Sequence, residues 1–263
     1  MPQTGILDYT TVTGAYADVI RSHGGLVRTS CAVERVTRQQ GGFVLGTFQG
    51  DLSCRFLINC AGLQCDVLAH LCGIATDVHI IPFRGEYYVI APTRRGLVKN
   101  LIYPVPDPAF PFLGVHFTRM IAGGLEAGPN AVLAFKREGY GRFSFSLRDT
   151  LEMVMFAGFR NLARRYLRVG VQEYRRSFSR KMFVSDLQRL VPELQGEDVR
   201  PGGAGVRAQA VDREGRLLDD FCLVDGDGMI HVLNAPSPAA TASISIGRTI
   251  TDHAAEHFNL NAR

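Results

Sequence analysis

Cys54-Arg-Phe-Leu-Ile-Asn-Cys60 reads as one continuous apolar strand, and Ala61-Gly62 closes it just before a helical pattern from about Gln64 to Cys72. A buried strand, a small-residue turn and a helix, in that order, have the form of a nucleotide-binding crossover. The same order is also met in any β-to-α turn. A second passage has a similar plan. His231-Val-Leu-Asn234 is a short apolar strand, Ala235-Pro-Ser-Pro-Ala-Ala-Thr241 is small and rigid, and a helix from about Pro238 to Phe258 follows. Free N–H groups and the positive end of the macrodipole at such a helix start favour negative charge. The plain alternative is a capped helix on a sheet, with Ser237 as N-cap.

The rest of the pattern alternates between strand-rich and helical stretches. Asp8 or Thr10 can cap a helix running to about Ser22, which His23-Gly24-Gly25 ends. Leu26–Thr29, Cys31–Arg38 and Phe43–Phe48 read as strands, with Gly41-Gly42 as a turn. Residues 79–91 and 97–135 carry strand signals broken by Pro and Gly. Ser146 opens a helical region comprising Leu147–Leu167 and Val171–Val191, ended by Pro192, and strands return at 204–211, 217–224 and 229–233. Two strand-rich regions bracketing helices indicate interleaved domains: a mixed-sheet domain over 76–200, and an α/β domain made of 1–75 and 201–263.

Composition excludes several classes. With 46% hydrophobic and 21% charged residues over 263 positions the chain has material for a sizeable core, and a net charge of +4 gives no reason to expect a nucleic-acid partner. Arg160, Arg164, Arg165 and Arg168 lie on a helical pattern and read as a solvated face. No apolar run is long enough to span a bilayer. Cys31, Cys54, Cys60, Cys65, Cys72 and Cys222 form no CxxC pair and have no accompanying zinc-type His spacing, which points to a reducing compartment and no metal. GxSxG and HExxH are absent, so hydrolase and metalloprotease readings lack support.

Residues 101–140 hold Tyr103, His116, Arg119, Asn130, Lys136 and Arg137 among prolines, glycines and apolar runs. Polar groups recurring between short strands suit the wall of a small-molecule pocket, or a sheet with ordinary surface charges. His116, between Val115 and Phe117, has the near-neutral pKa of a general base, and His231 is its rival. Asp107 sits between two prolines and reads as a turn residue.

Five stretches carry a resemblance: Thr4-Gly-Ile-Leu-Asp-Tyr9, Ile81-Pro-Phe-Arg-Gly-Glu-Tyr87, residues 101–140, Gly205-Val-Arg-Ala-Gln-Ala210 and residues 231–247. Together they resemble the L-2-hydroxyglutarate dehydrogenase/oxidase family of D-amino-acid-oxidase-like flavoproteins, from Thr4 to Phe258. The resemblance implies a mixed α/β (α+β) chain, in which an incomplete FAD-binding Rossmann-like domain interleaves with the mixed-sheet substrate domain. It implies FAD held by Val33, Cys60, Ala61, Gly62, Gly205, Ala235, Pro236, Ser237, Pro238, Ala239 and Ala240. It implies a dicarboxylate substrate with Arg207 and Arg84 as carboxylate forks, His116 as base, and Tyr103, Tyr87, Asn130 and Lys136 as further pocket residues. The alternative for each arginine is a salt bridge, Arg84 with Glu86 or Arg207 with Asp212. The implied reaction is oxidation of L-2-hydroxyglutarate to 2-oxoglutarate, with quinone or oxygen as acceptor. The implied location is cytoplasmic, with peripheral attachment to the inner membrane left open. None of the 28 glycines forms the strand–GxGxxG–helix turn that holds the FAD pyrophosphate in this family. The chain therefore enters the family pattern about one third of the way along. A non-catalytic remnant, or an oxidase of another 2-hydroxy acid or amine, remains an alternative.

Overall fold

A computed structural model describes residues 5–105 and 114–260; Asp107 lies outside them. The chain divides into two compact units, one formed by 1–8 and 81–208 and the other by 9–80 and 209–263. The class is mixed α/β, as the resemblance implies.

The second of these units contains two sheets. Strands β1 (Val33–Gln39), β2 (Gly42–Thr47) and β3 (Gly50–Cys54) form an antiparallel meander. Strand β4 (Leu57–Asn59) instead pairs in parallel with β11 (Met229–Asn234), which pairs antiparallel with β10 (Cys222–Gly226). The apolar run 54–60 is therefore not one strand. It changes sheet at Arg55-Phe56, where the Phe56 ring leaves the ladder and stacks on Phe258 with centroids 4.4 Å apart. Phe43, Leu57 and Met229 form the apolar cluster shared by the two sheets.

Helices cover both faces of the β10-β11-β4 sheet. Helix α2 (Cys65–Leu71) lies on the Asn59 side, since the Asn59 amide donates to the Cys65 carbonyl at 2.7 Å. Helix α6 (Ser243–His257) lies on the other side, with Ala254 and the following Phe258 packed on Ile230. Burying both faces explains why β11 is apolar nearly throughout. Helix α1 (Tyr9–Ser22) follows its predicted bounds. Leu26–Thr29 is irregular rather than a strand, and Leu26 is 80% exposed.

The unit containing 81–208 is built around one long strand, β5 (His79–Ile90), of which the residues from Ile81 on belong to it. One edge of β5 pairs antiparallel with β7 (Leu125–Gly128) and then with β8 (Val132–Leu133). Strand β9 (Val199–Val211) also pairs with β5, and β6 (His116–Arg119) pairs with β7. Among the described residues of 97–135 the strands are these short pieces, separated where Pro and Gly interrupt the pattern. Helices α3 (Leu147–Met155), α4 (Ala157–Phe178) and α5 (Arg180–Leu187) replace the two long helices that the sequence suggests. The breaks are local. Phe156 is extended between α3 and α4, and the Ser179 side chain caps α5 by accepting from the Met182 N–H at 3.3 Å. Phe183, Val184 and Leu187 of α5 join Tyr88, Ile90, Phe117, Leu125 and Ala127 in the core.

Between β7 and β8 the ladder on β5 is interrupted, and the gap is filled by side chains. Gly128 has φ +142°, and a Cβ there would lie 2.8 Å from the Glu86 carbonyl oxygen. Asn130 accepts from the Glu86 N–H at 2.8 Å and donates to the Glu86 carboxylate at 2.9 Å. The same carboxylate receives Ser177 at 2.6 Å, Arg84 at 2.9 Å and Arg142 at 3.2 Å. Burial alone would raise the Glu86 pKa. The bonds from Ser177, Asn130, Arg142 and Arg84 outweigh it and hold the carboxyl below its ordinary value.

Replacing Glu86 by Gln leaves the buried Arg84 guanidinium without a counter-charge and is expected to cost about 3–5 kcal/mol in urea unfolding. The depressed carboxyl contributes stability that is present above the unfolded pKa and is lost as pH falls through the folded one. The wild-type chain should therefore lose more stability on acidification than Glu86→Gln, and equal slopes would contradict this account.

Candidate flavin and substrate sites

The parallel pairing of β4 with β11 places the two small-residue turns at neighbouring strand ends. Met229, Ile230 and His231 stand opposite Leu57, Ile58 and Asn59. Both strands then end in the same direction, β4 at Cys60-Ala61-Gly62 and β11 at Ala235–Ala240. Carboxyl ends of adjacent parallel strands are where ligands bind in open α/β sheets. Cys60, Ala61 and Gly62 are exposed. Gly62 has φ +55°, and nothing lies within 4 Å of where its Cβ would stand. The helix after Ala235–Ala240 begins later than the sequence suggests. Residues 238–242 form a turn, with the Ala242 N–H bonded to the Pro238 carbonyl at 3.3 Å, and α6 starts at Ser243. Ala242, not Ser237, occupies the N-cap, and no side chain caps the helix. The first N–H groups of α6 are thus not taken by a capping side chain.

Beneath these turns lies a buried polar pair. Asn59 is 1% and His231 0% exposed. Asn59 Oδ1 accepts from the Ala61 N–H at 3.1 Å, and its Nδ2 lies 2.7 Å from the Cys65 carbonyl and 3.0 Å from His231 Nδ1. A carbonyl can only accept and an N–H can only donate, so the amide orientation is fixed. Asn59 Nδ2 therefore donates to His231 Nδ1, and the neutral imidazole carries its proton on Nε2. Burial lowers the His231 pKa, in keeping with the neutral ring. Nε2 is buried and meets no polar partner among the described residues.

These residues fit a flavin. Small exposed side chains, an open left-handed glycine and a helix start without a capping side chain leave room and donors for a flat, electron-poor ring. Val33 opens β1, half-buried and opposite Thr47 in the meander. Gly205 is exposed on β9 and belongs to the unit of 81–208, unlike the other candidate cofactor residues.

That unit carries the candidate substrate residues. In the antiparallel ladder, opposite residues share a face and alternate residues return to it. His116 stands opposite Gly128, and Thr118 and Val89 stand opposite Glu126. His116, Thr118, Glu126 and Tyr87 thus share one face of the sheet, whereas Phe117, Ala127 and Tyr88 turn the other way into the core. The Tyr103 ring stacks on His116 at 4.2 Å, and its hydroxyl lies 3.4 Å from Thr118 Oγ1. His116 Nδ1 donates to the Gly114 carbonyl at 3.2 Å, which leaves Nε2 as the basic nitrogen of the neutral ring. Burial lowers the His116 pKa more than the bond to Gly114 raises it. Burial, followed by the charges of Glu126 and Tyr103, raises the Tyr87 phenol.

The remaining candidates separate from this face. Arg84 is 4% exposed, donating from one terminal nitrogen to Glu86 and from the other to the Gly141 and Arg142 carbonyls at 3.1 and 3.4 Å. The salt bridge with Glu86, considered as an alternative from the sequence, is formed at 2.9 Å. Asn130 is committed to Glu86. Lys136 is exposed at the start of a tight turn closed by the Gly139 N–H. Arg207 is exposed on β9, and Asp212 is bonded to Arg216 at 2.6 Å. Sequence reasoning missed Asn59, Thr118 and Glu126. Asn59 was detectable as the one polar residue inside Leu57-Ile58-Asn59; Thr118 and Glu126 needed the strand register. All six cysteines are free, and no metal-binding group of His, Cys, Asp and Glu occurs among the described residues.

A family described as DAO, FAD dependent oxidoreductase, matches residues 1–253. The chain is 52% identical over 259 residues to the L-2-hydroxyglutarate dehydrogenase of Indibacter alkaliphilus, covering 98% of this chain and 65% of that one. It is 45% identical over 251 residues to the L-2-hydroxyglutarate dehydrogenase of Escherichia coli K12, covering 95% and 60%. It is 42% identical over 276 residues to the mitochondrial L-2-hydroxyglutarate dehydrogenase of Mus musculus, covering 98% and 60%. The chain thus spans less than two thirds of the length of these curated relatives. Its fold is similar to that of the FAD-bound L-alpha-glycerophosphate oxidase of Mycoplasma pneumoniae, with TM-score 0.63, 18% identity, and coverage of 94% of this chain and 55% of that one. Glycine oxidase of Geobacillus kaustophilus shares the fold with TM-score 0.57, 17% identity, and coverage of 92% and 52%.

The Tyr103–His116 stack gives a direct check. An NMR titration should place His116 below the ordinary histidine value of about 6.5. Tyr103→Ala, which uncovers the ring, should move it upward. An unshifted His116, or no response to Tyr103→Ala, would contradict the geometry.

Proposed function

The chain belongs to the DAO family of FAD dependent oxidoreductases, and from that premise we propose that it serves the FAD-dependent oxidation of L-2-hydroxyglutarate to 2-oxoglutarate. The observation that carries this reading is the placement of two small-residue turns at the adjacent carboxyl ends of parallel strands β4 and β11. The substrate rests on the names of relatives 42–52% identical to the chain.

In this reading Cys60, Ala61, Gly62 and Ala235–Ala240 hold the flavin, and the N–H groups at the start of α6 favour the negative charge that reduction brings. When bound, the flavin supplies the acceptor for the hydride that leaves C2 of the substrate. His116 takes the hydroxyl proton on Nε2, with its ring held by Tyr103 and by the Gly114 carbonyl. The C2 alcohol becomes a ketone as the C–H and O–H bonds break. Arg207 binds a substrate carboxylate through its guanidinium fork. Arg84, whose terminal nitrogens are committed to Glu86 and two carbonyls, supports the sheet from behind rather than acting as the second fork. Tyr87 and Tyr103 orient the substrate by their hydroxyls, and Lys136 is the remaining candidate for the second carboxylate. Reoxidation falls to a quinone or oxygen. No helix among the described residues is long and apolar enough to cross a membrane. No GxGxxG turn stands in the sequence, and pyrophosphate contacts form no part of the proposal.

Incubation with FAD followed by desalting should leave flavin bands in the visible spectrum, and anaerobic L-2-hydroxyglutarate should bleach them. A colourless chain, or bleaching only by another 2-hydroxy acid or an amine, would overturn the reading. His116→Gln should keep the bands and slow bleaching by about a hundredfold or more.

A further inference from the structure

The buried pair beneath the flavin turn has no role in the chemistry above, yet its bonding is unusually determined. Three bonds fix the Asn59 amide, and the amide in turn fixes which nitrogen of His231 carries the proton. Asn59 is the last residue of β4, and the Ala61 N–H that it holds belongs to the exposed turn 60–62. Its second partner, the Cys65 carbonyl, is at the start of α2. One side chain therefore joins the end of the strand, the turn and the first residue of the helix. His231 lies directly across the ladder on β11, three residues before the strand ends at Asn234 and the second turn begins.

We propose that Asn59 and His231 are positioning residues for the flavin: His231 Nδ1 holds the Asn59 amide, and the amide holds Cys60-Ala61-Gly62 in the conformation that receives the cofactor. The inference rests on the assignment of that turn to FAD. Without an acceptor at Nδ1, one Asn59 hydrogen loses its partner in a site closed to water, and the amide is no longer held against Ala61. The effect reaches the flavin through the backbone, since neither side chain is exposed at the turn. The orphaned Nε2–H fits the same account. The ring keeps its proton on the side without a partner because Asn59 requires Nδ1 as acceptor.

The test uses the whole chain and three readouts. Nitrogen-15 spectra of the histidine rings should show His231 protonated on Nε2 and bare on Nδ1. Hydrogen exchange at the Ala61 amide should quicken about tenfold or more in His231→Leu, and FAD affinity should fall by a similar factor. His231→Gln, whose side-chain carbonyl can accept from Asn59, should restore both to within about threefold of wild type. A proton on Nδ1 would overturn the proposal, as would unchanged Ala61 exchange in His231→Leu or failure of the Gln variant to rescue it. If His231→Leu does not fold, the ring tautomer and the Gln variant decide. Faster Ala61 exchange with unaltered FAD affinity would sink the link to the cofactor. A wild-type chain that retains no FAD would instead sink the assignment of the turn, and Ala61 exchange would still show whether the pair holds it.

Discussion

Three residue pairs between β4 and β11 decide where the two small-residue turns meet in the unit formed by 9–80 and 209–263. The pairing is parallel, so the two strands end on the same side and each hands the chain to a small-residue turn there. An antiparallel pairing of the same strands would send those turns to opposite edges. The pairing also buries both faces of β11, under α2 and α6, which requires its polar members to find partners inside. Asn59 and His231 Nδ1 meet that requirement by bonding to each other, His231 Nε2 being left without a partner among the described residues, and through Asn59 the bond extends to the backbone of the turn. A condition set by burial thus becomes a constraint on the geometry of the candidate flavin site.

The unit of 81–208 solves a different problem. Its sheet has one face in the core, with Phe117, Ala127 and Tyr88 packed against α5. The opposite face is left to His116, Thr118, Glu126 and Tyr87. The break in the ladder between β7 and β8 exposes the backbone of Glu86, and Asn130 closes it by bonding both the N–H and the carboxylate. Arg84, Arg142 and Ser177 complete the shell around Glu86. Two candidates for substrate binding, Arg84 and Asn130, are thereby engaged in holding the sheet together.

The two strand–turn–helix passages, the long strand over 79–91, the first helix and the helical character of 146–194 were all legible in the sequence, because each is a local pattern of apolar residues and breakers. The breaks inside those patterns were not. Phe56 leaves its strand to stack on Phe258, a partner 202 positions away in the chain. Phe156 and Ser179 divide the helical region through backbone and capping geometry that the apolar period does not record. The delay of α6 to Ser243 is of the same kind. Among site residues, His116 and Tyr103 stood out by type and proved to be stacked together. Thr118 and Glu126 join their face only through register, a property of two strands at once. The commitment of Arg84 to Glu86, two residues along the same strand, was visible as one of two options, and only the three-dimensional arrangement chooses between them.

The measurement that bears most directly on the central claim is hydrogen exchange of the backbone with and without FAD. If the paired ends of β4 and β11 receive the cofactor, FAD should slow exchange in both 60–62 and 235–243, with the meander formed by β1, β2 and β3 changing far less beyond Val33. Slowing confined to one of the two turns, or absent from both while FAD is bound, would contradict the claim that the parallel ladder builds the flavin site.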